Sequence, residues 1–230
     1  MYTYAFVKTP ASPLQLSQGI GGSLKIINSQ NLSAIVEPDL GTNNLPDTDE
    51  LLMQAVLIHD QIIREAFQQT PLLPLRFGTC FSSESALVQH LQLHQQQYLD
   101  KLEQFQGQAE YLLKAVPLEL PPENLNLSEP NSPSPPLKGR DYFLAKKQLH
   151  QRQLEHQQQQ NQQWHQWVNL LRPSYPNLIL PESQTSEQRI YLLIPQTQEP
   201  QLREQLQQWQ TQNVHWQLTL SEALPPYHFL

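Results

Sequence analysis

The chain has 230 residues, of which 38% are hydrophobic and only 15% are charged, and its formal net charge is −7 at neutral pH. Its apolar residues recur in well-spaced clusters, which disordered chains lack, and the length suits two folded domains. This acidic chain has no dense cluster of Lys and Arg, so it is poorly suited to bind nucleic-acid phosphates or anionic lipid surfaces. We therefore expect no nucleic acid and no membrane among its partners.

A single cysteine, Cys80, excludes an intrachain disulfide and favours a reducing compartment. The first residues lack the charged segment and the long apolar core of a secretory signal. No apolar run approaches the ~20 residues that a membrane-spanning helix needs. We therefore expect a soluble protein of the cytoplasm.

The beginning of the chain predicts three strands. Residues 2–8 are aromatic and β-branched, as is typical of a strand, and residues 24–38 predict a hairpin in which polar turn residues separate two apolar runs. The glycines at 19–23 lack the spacing of a phosphate-binding loop, and we interpret them as a turn.

Residues 47–69 predict the first long helix, with Asp47 as its N-terminal cap. Asp60 and Arg64 lie four residues apart and can form an ion pair on its surface. Prolines end the helix at its C-terminal side. The predicted apolar stripe of this helix consists of Leu52, Val56, His59, Ile63 and Ala66.

The stretch LPLRFG at 73–78 predicts a short strand that contains Arg76. If the face to which Arg76 points is buried, its guanidinium needs a carboxylate, and Asp60 or Glu65 on the preceding helix could supply it. An anionic ligand is the alternative partner of Arg76.

A second helix, capped by Ser82 or Ser83, is predicted to run to about residue 105. After it, the predicted order is strand, helices, strand, helix, strand, which suits an α+β domain of the ferredoxin type. The long helical region has sparse apolar spacing, so we expect it to be split into two or more segments. The predicted elements are a strand at 107–118, a Pro-rich loop at 119–138, a helical insertion at 139–173, a strand at 189–195, a helix opened by Pro200 and a strand at 214–220.

The predicted fold class is α+β with two domains, an N-terminal one at 1–106 and a ferredoxin-like one at 107–220, followed by a tail at 221–230. Two consecutive prolines prevent the tail from continuing the strand before it. The tail must bury Tyr227 and Phe229, and we expect it to pack between the domains.

None of the candidate chemical sites in the sequence is complete. His59 and Asp60 form a His-Asp doublet, but no histidine precedes them that could complete the metal site of a phosphohydrolase. His90 and His94 have the spacing of a two-histidine metal face, without an obvious third ligand. Cys80 has no Lys or His neighbour in sequence that would activate it, and we expect it to fill the core. We therefore predict no catalytic, cofactor-binding or metal-binding residue.

Four stretches, in the right order along the chain, resemble the gas vesicle protein F/L family. LSAIVEP is similar to the family's early strand, and HDQIIREAF followed by LLPLRFGTCF resembles its helix-borne His and its Pro-x-Arg-Phe-Gly-Thr signature. GRDYFLAKK resembles the start of a family helix, and LPPYHFL is similar to the family's Pro-Pro-Tyr-x-Phe tail. The Gln-rich stretches and the tail resemble cyanobacterial members.

The resemblance implies an accessory or minor structural protein of gas vesicles, the gas-filled organelles that give cells buoyancy. Such a protein acts in vesicle nucleation or assembly by binding the main hydrophobic shell protein, and other accessory proteins are also expected partners. The resemblance further implies two α+β domains, the second a modified ferredoxin-like fold, and no enzymatic activity. It places the protein in the cytoplasm and at the gas vesicle, with the gas-facing surface of the shell left open as a location.

The alternative function is that of a small-molecule-binding regulatory protein or an enzyme with a pocket around Arg76 and His59. No cofactor is predicted for either function. The residues for which we predict a structural or interaction role are His59, Asp60, Arg76, Arg140, Tyr227 and Phe229.

Overall fold

The computed structural model describes residues 1–41, 45–46, 48–120, 139–182 and 185–230. The chain divides into two compact units. The first unit comprises Met1–Tyr111, Leu193–Pro200 and Ser221–Leu230, and the second comprises Leu112–Leu192 and Gln201–Leu220. Helices and antiparallel strand pairs together confirm the predicted α+β class.

The first unit is built on a four-stranded sheet in the order β2-β3-β1-β4. The predicted hairpin is confirmed, because β2 and β3 pair antiparallel around the two-residue loop 30–31. Strand β1 lies inside the sheet with apolar clusters on both of its faces, so every residue from Tyr2 to Val7 is buried. The bounds are β1 Tyr2–Lys8, β2 Lys25–Ser29, β3 Leu32–Glu37 and β4 Leu72–Pro74.

Helices cover both faces of this sheet. Helix α1 (Asp49–Phe67) packs on one face through Ile62 and Ile63, and α2 (Glu84–Leu93) packs on the other through Leu87 and Leu91. The prediction of a single helix that continues to residue 105 is wrong. The helix is interrupted at His94, after which α3 (Gln95–Gln104) begins.

The predicted stripe of α1 is confirmed only in its second half. His59, Ile63 and Ala66 are buried, but Leu52 and Val56 are 38% and 37% exposed. The first buried residue of the helix is Ala55, so its first turns extend beyond the part that contacts the core. Helical periodicity therefore continues into a segment that has no partner within the described residues to bury it.

Of the two predicted N-terminal helix caps, only that of α2 is confirmed by the described residues. The predicted cap of α1, Asp47, lies outside the described residues, and Thr48 occupies the cap position without a side-chain cap bond. For α2 the cap is confirmed, because the Ser83 Oγ accepts a hydrogen bond of 3.1 Å from the Ala86 N–H.

Three strands in the order β6-β5-β7 form the second sheet, with β5 and β7 antiparallel. Strands β5 and β6 each contribute residues to both units. Most of the predicted Pro-rich loop, residues 121–138, lies outside the described residues. The bounds are β5 Gln108–Pro117, β6 Gln188–Pro195 and β7 Trp216–Leu220.

The long helical region is one helix, α4 (Arg140–Leu171), so the predicted split is wrong. No Gly or Pro occurs between its ends, and its Gln-rich middle consists of good helix formers. Its last turns are anchored by the buried side chains of Trp164, Trp167 and Leu171. Helix α5 (Glu199–Gln212) has Pro200 in its first turn, as predicted.

Tryptophans form the centre of the second unit. The Trp164 ring lies 5.5 Å from that of Trp167 and 5.6 Å from that of Trp216, and the Trp167 ring lies 5.8 Å from that of Trp209. These contacts join α4 to α5 and to β7. The predicted strand at 214–220 begins only at Trp216, because residues 213–216 form a turn closed by a hydrogen bond of 3.1 Å from the Trp216 N–H to the Asn213 carbonyl. Val214 in this turn is 64% exposed.

Replacing Ser83 by Ala should lower the free energy of unfolding by about 1 kcal/mol, because the cap bond to the Ala86 N–H is lost. Ser82→Ala is the matched control and should change it by less than half as much. Chemical denaturation measures both values, and equal losses for the two variants would contradict the assignment of the cap.

Candidate functional site

His59 connects three parts of the first unit. Its Nδ1 lies 2.8 Å from the Tyr2 hydroxyl on β1, and its Nε2 lies 3.0 Å from the Leu75 carbonyl oxygen. The Tyr2 hydroxyl also accepts a hydrogen bond of 3.2 Å from the Gly78 N–H. We call His59, Tyr2, Leu75 and Gly78 the His59 network, and it joins α1 to β1 and to the turn that follows β4.

The hydrogen bonds of the His59 network define the protonation of its ring. A carbonyl oxygen can only accept, so Nε2 carries the proton and Nδ1 accepts from the Tyr2 hydroxyl. Burial lowers the pKa of His59, and the bond to Leu75 only partly opposes that effect. The ring is therefore neutral at pH 7, with both nitrogens engaged inside the fold.

The Arg-Phe-Gly-Thr stretch forms a tight turn. The Arg76 carbonyl accepts hydrogen bonds from the Thr79 N–H at 3.1 Å and from the Thr79 hydroxyl at 2.7 Å. Gly78 has φ +87°, the value that the third residue of a type II turn requires and that residues with a Cβ rarely adopt. This turn presents the Gly78 N–H to Tyr2.

The prediction that Arg76 lies in a strand is wrong, because β4 ends at Pro74. The Arg76 side chain is exposed and belongs to no ion pair among the described residues. Its two predicted partners are engaged elsewhere, since Asp60 pairs with Arg64 and Glu65 accepts hydrogen bonds from Ser17. The backbone of Arg76 contributes to the fold through the turn.

Asp60 forms a hydrogen bond with the C-terminal tail. Its carboxylate forms the predicted pair with Arg64 through one oxygen and accepts a hydrogen bond of 2.6 Å from the Tyr227 hydroxyl through the other. Burial and the bond to Asp60 raise the pKa of Tyr227, which stays protonated and donates. Tyr227 also packs on the apolar cluster between the sheet and α1.

Glu110 and His228 form a second attachment of the tail that the sequence interpretation missed. The fully buried Glu110 carboxylate accepts a hydrogen bond of 2.8 Å from the His228 N–H and lies 2.7 Å from its Nδ1. Burial raises the pKa of Glu110, and the two contacts with His228 oppose that rise. A carboxylate among the apolar residues of β5 was the available signal, but its partner lies 118 residues away in sequence.

Backbone and apolar contacts complete the attachment of the tail. Glu110 and Leu224 exchange backbone hydrogen bonds of 2.9 and 2.8 Å, and Phe229 packs on the cluster beneath α2. All of these tail contacts lie inside the first unit. The predicted position of the tail between two domains remains a prediction.

Glu37 is another buried carboxylate that the sequence interpretation missed. It accepts hydrogen bonds from the Tyr4 hydroxyl at 2.7 Å and from the N–H groups of Ile20 and Gly21 at 2.9 and 2.6 Å. A Cβ on Gly19 would lie 2.3 Å from the Glu37 Oε2, so a larger residue at this position would displace the carboxylate. The turn at 19–23 therefore binds a carboxylate of the chain itself through the N–H groups of Ile20 and Gly21.

Helix α1 presents an exposed apolar face. Leu52, Met53, Val56 and Leu57, which we call the α1 apolar face, are between 37% and 63% exposed. Their spacing places them on one side of the helix, and Asp60 follows on the same side one turn later. This face therefore lies next to the point at which α1 holds Tyr227.

Among the described residues, the remaining candidates are not grouped into a metal site. The described residues contain no group of three or more His, Cys, Asp or Glu side chains that could hold a metal ion. His90 Nε2 lies 2.8 Å from the Tyr98 hydroxyl, and Cys80 packs against the core. Arg140 is the exposed first residue of α4. No helix in the described ranges is long and apolar enough to cross a membrane.

The family model of the gas vesicle synthesis protein GvpL/GvpF matches residues 1–230, which is the whole chain. The chain belongs to the GvpL/GvpF family. Proteins of this family are involved in gas vesicle formation. The resemblance inferred from the sequence is confirmed.

Solved GvpF structures from two cyanobacteria share the fold of this family member. GvpF from Anabaena sp. PCC7120 matches with a TM-score of 0.70 and 16% identity over 99% of this chain and 94% of that one. GvpF from Microcystis aeruginosa matches with a TM-score of 0.69 and 16% identity over 99% and 97% of the two chains. No curated protein sequence matches the chain.

Replacing Tyr227 by Phe should lower the free energy of unfolding of this GvpL/GvpF protein by roughly 1–2 kcal/mol, because a hydrogen bond to a carboxylate is lost. Tyr175→Phe is the control, since its hydroxyl donates to the neutral amide of Gln205 on an exposed surface. Urea denaturation compares the two variants. A smaller loss for Tyr227→Phe than for the control would contradict the proposed attachment of the tail.

His59 should make the protein less stable in acid. Its folded pKa is lowered, so its contribution to stability is fully present above the unfolded value of about 6.5 and is lost as the pH falls toward the folded pKa. Between pH 6.5 and 5 the free energy of unfolding should fall by up to ~1.4 kcal/mol per pH unit from this group. His59→Asn should flatten the dependence, and an unchanged slope in that variant would refute the assignment.

Proposed function

We propose that this protein is an accessory or minor structural protein of gas vesicles that acts in nucleation or assembly by binding the main hydrophobic shell protein. Membership of the GvpL/GvpF family supports a role in gas vesicle formation. The observation that carries the binding proposal is the α1 apolar face, whose four large side chains are exposed on one helix. Contiguous exposed apolar surface of this kind is typical of protein-interaction sites.

The chemistry of the α1 apolar face fits a hydrophobic partner. Burying a Leu or Met side chain yields about 1.5–3 kcal/mol, and this gain needs no charged group on the partner. Within the first unit, the tail is held at Asp60 and the N-terminal part of α1 stays exposed. A shell protein that approaches α1 can therefore bind without displacing Tyr227.

The hydrogen bonds of His59 and the exposed position of Arg76 support a role without catalysis. Both nitrogens of His59 bond to groups of the fold, and the Arg76 side chain is exposed beside a backbone turn. In the alternative function, a ligand would have to replace one of these two bonds in order to reach a His59 nitrogen. We therefore favour assembly over a regulatory or enzymatic pocket, with a location at the gas vesicle and with other gas vesicle accessory proteins as further partners.

We also infer that the second unit is a modified ferredoxin-like fold. The support is its order of elements, β5-α4-β6-α5-β7, in which two helices alternate with the strands of one sheet. In this interpretation α4 includes the helical insertion.

Replacing Leu57 by Glu should weaken binding of the main shell protein about tenfold or more, because a charge replaces a side chain that the complex buries. The matched control is Leu93→Glu, since Leu93 is equally apolar, is 75% exposed and ends the helix on the opposite face of the sheet. Titration of shell protein onto the immobilised variants measures the affinities. Failure of the unmodified protein to bind at micromolar concentration would contradict the proposed function, and equal weakening by both variants would contradict the role of α1.

A further inference from the structure

A surface cavity of about 420 Å³ lies beside α3 in the first unit. Its walls come from the end of β1, the loop between β2 and β3, the two residues before β4 and one side of α3. Leu99 and Leu102 in its lining belong to the apolar cluster beneath α2. The volume lies in the range of sites that accommodate a small-molecule ligand.

The cavity is lined by charged side chains of both signs. Lys8 contributes an ammonium group from β1, and Asp100 and Glu103 contribute carboxylates from α3. Among the described residues, Lys8 forms no ion pair with either carboxylate. Asp100 accepts a hydrogen bond of 2.7 Å from the Gln96 side chain, which orients its carboxylate. Three charged groups that line one cavity are therefore not neutralised by one another.

Helix geometry separates the two carboxylates. Asp100 and Glu103 lie three residues apart on α3, so they share one side of the helix with about 5–6 Å between their Cβ atoms. Leu99, Leu102 and Pro71 supply an apolar part of the same wall. The cavity thus combines two separated anionic groups, one cationic group and an apolar surface.

We propose that this cavity binds a basic amino acid, for which free lysine is the probe. The three charged residues of the lining carry one more negative charge than positive charge, and lysine has the opposite balance, with two ammonium groups and one carboxylate. The ligand carboxylate pairs with Lys8, the two ammonium groups pair with Asp100 and Glu103, and the methylene chain lies on Leu99. This inference does not rest on the proposed function, since no residue of α1 lines the cavity.

Other small ligands match fewer of these charges. A neutral amino acid leaves one carboxylate without a partner, and a diamine leaves Lys8 without one. A metal ion would be repelled by the Lys8 ammonium, and the described residues contain no group of three or more His, Cys, Asp or Glu side chains that could hold one.

Binding should be weak and sensitive to salt. Lys8, Asp100 and Glu103 are exposed, so a ligand can enter without a change in the fold, but each ion pair that it forms is exposed as well. Exposed ion pairs are individually weak and are screened by salt. We therefore expect a dissociation constant of about a millimolar at low ionic strength, and roughly threefold weaker binding at high salt.

Nuclear magnetic resonance titration of the unmodified protein tests the recognition of each charge. Lysine should shift the amide signals of Lys8 and α3 in a saturable way. Three analogues each lack one charge: norleucine lacks the side-chain ammonium, Nα-acetyl-lysine the α-ammonium and lysine methyl ester the carboxylate. Each should bind about three- to fivefold more weakly than lysine. Equal affinity of lysine and any one analogue would overturn the proposal, as would shifts that do not saturate or that lie outside the cavity.

Three variants assign the charges to their residues. Glu103→Gln should weaken the binding of lysine about three- to fivefold, and Lys8→Met should abolish the difference between lysine and its methyl ester. Lys101→Met is the matched control, because Lys101 belongs to α3 but does not line the cavity, and it should bind lysine as the unmodified protein does. A methyl-ester difference that persists in Lys8→Met, or equal losses in Lys101→Met and Glu103→Gln, would overturn the assignment.

Discussion

The buried imidazole of His59 fixes the position of α1 in the first unit, because its two hydrogen bonds connect this helix to a strand and to the segment that precedes a turn. The bond to Tyr2 fixes α1 against the central strand, and the bond to Leu75 fixes the same helix against the segment that leaves β4. The ring is neutral because burial lowers its pKa, and its proton lies on Nε2 because the Leu75 carbonyl can only accept. The two parts of the family signature, the helix that carries His59 and the turn at 75–79, are thus joined by hydrogen bonds. His59 bonds directly to Leu75, and it bonds through Tyr2 to Gly78.

The surface that we propose for binding the shell protein lies close to His59 on the same helix. Asp60 directly follows His59 on α1 and lies about 100° further around the helix, where its half-buried carboxylate accepts a hydrogen bond from the Tyr227 hydroxyl. The α1 apolar face occupies the turns before Asp60 on the same side. The face of α1 that packs on the core therefore places Asp60 at the attachment of the tail, and the α1 apolar face lies beside it.

The sequence predicted the local elements well and the long-range partners poorly. Helix α1, the β2–β3 hairpin, the Ser83 cap and the Asp60–Arg64 pair depend on residues close together in the chain, and all four were predictable. The pairing of Glu110 with His228 was not, because periodicity carries no information about contacts across 118 residues. Arg76 was misassigned since an apolar run before a glycine fits a strand and a turn equally well. Exposed Leu52 and Val56 were assigned to the core because helical spacing cannot distinguish a core face from a face offered to a partner.

Photo-crosslinking tests most directly whether α1 contacts the shell protein. A photoreactive amino acid placed at Met53, in the middle of the α1 apolar face, should form a covalent adduct with the main shell protein in cells that are assembling gas vesicles. The same amino acid at Leu93, on the opposite face of the sheet, should form little or none. An adduct of equal yield from both positions, or no adduct with the shell protein from Met53, would contradict the account.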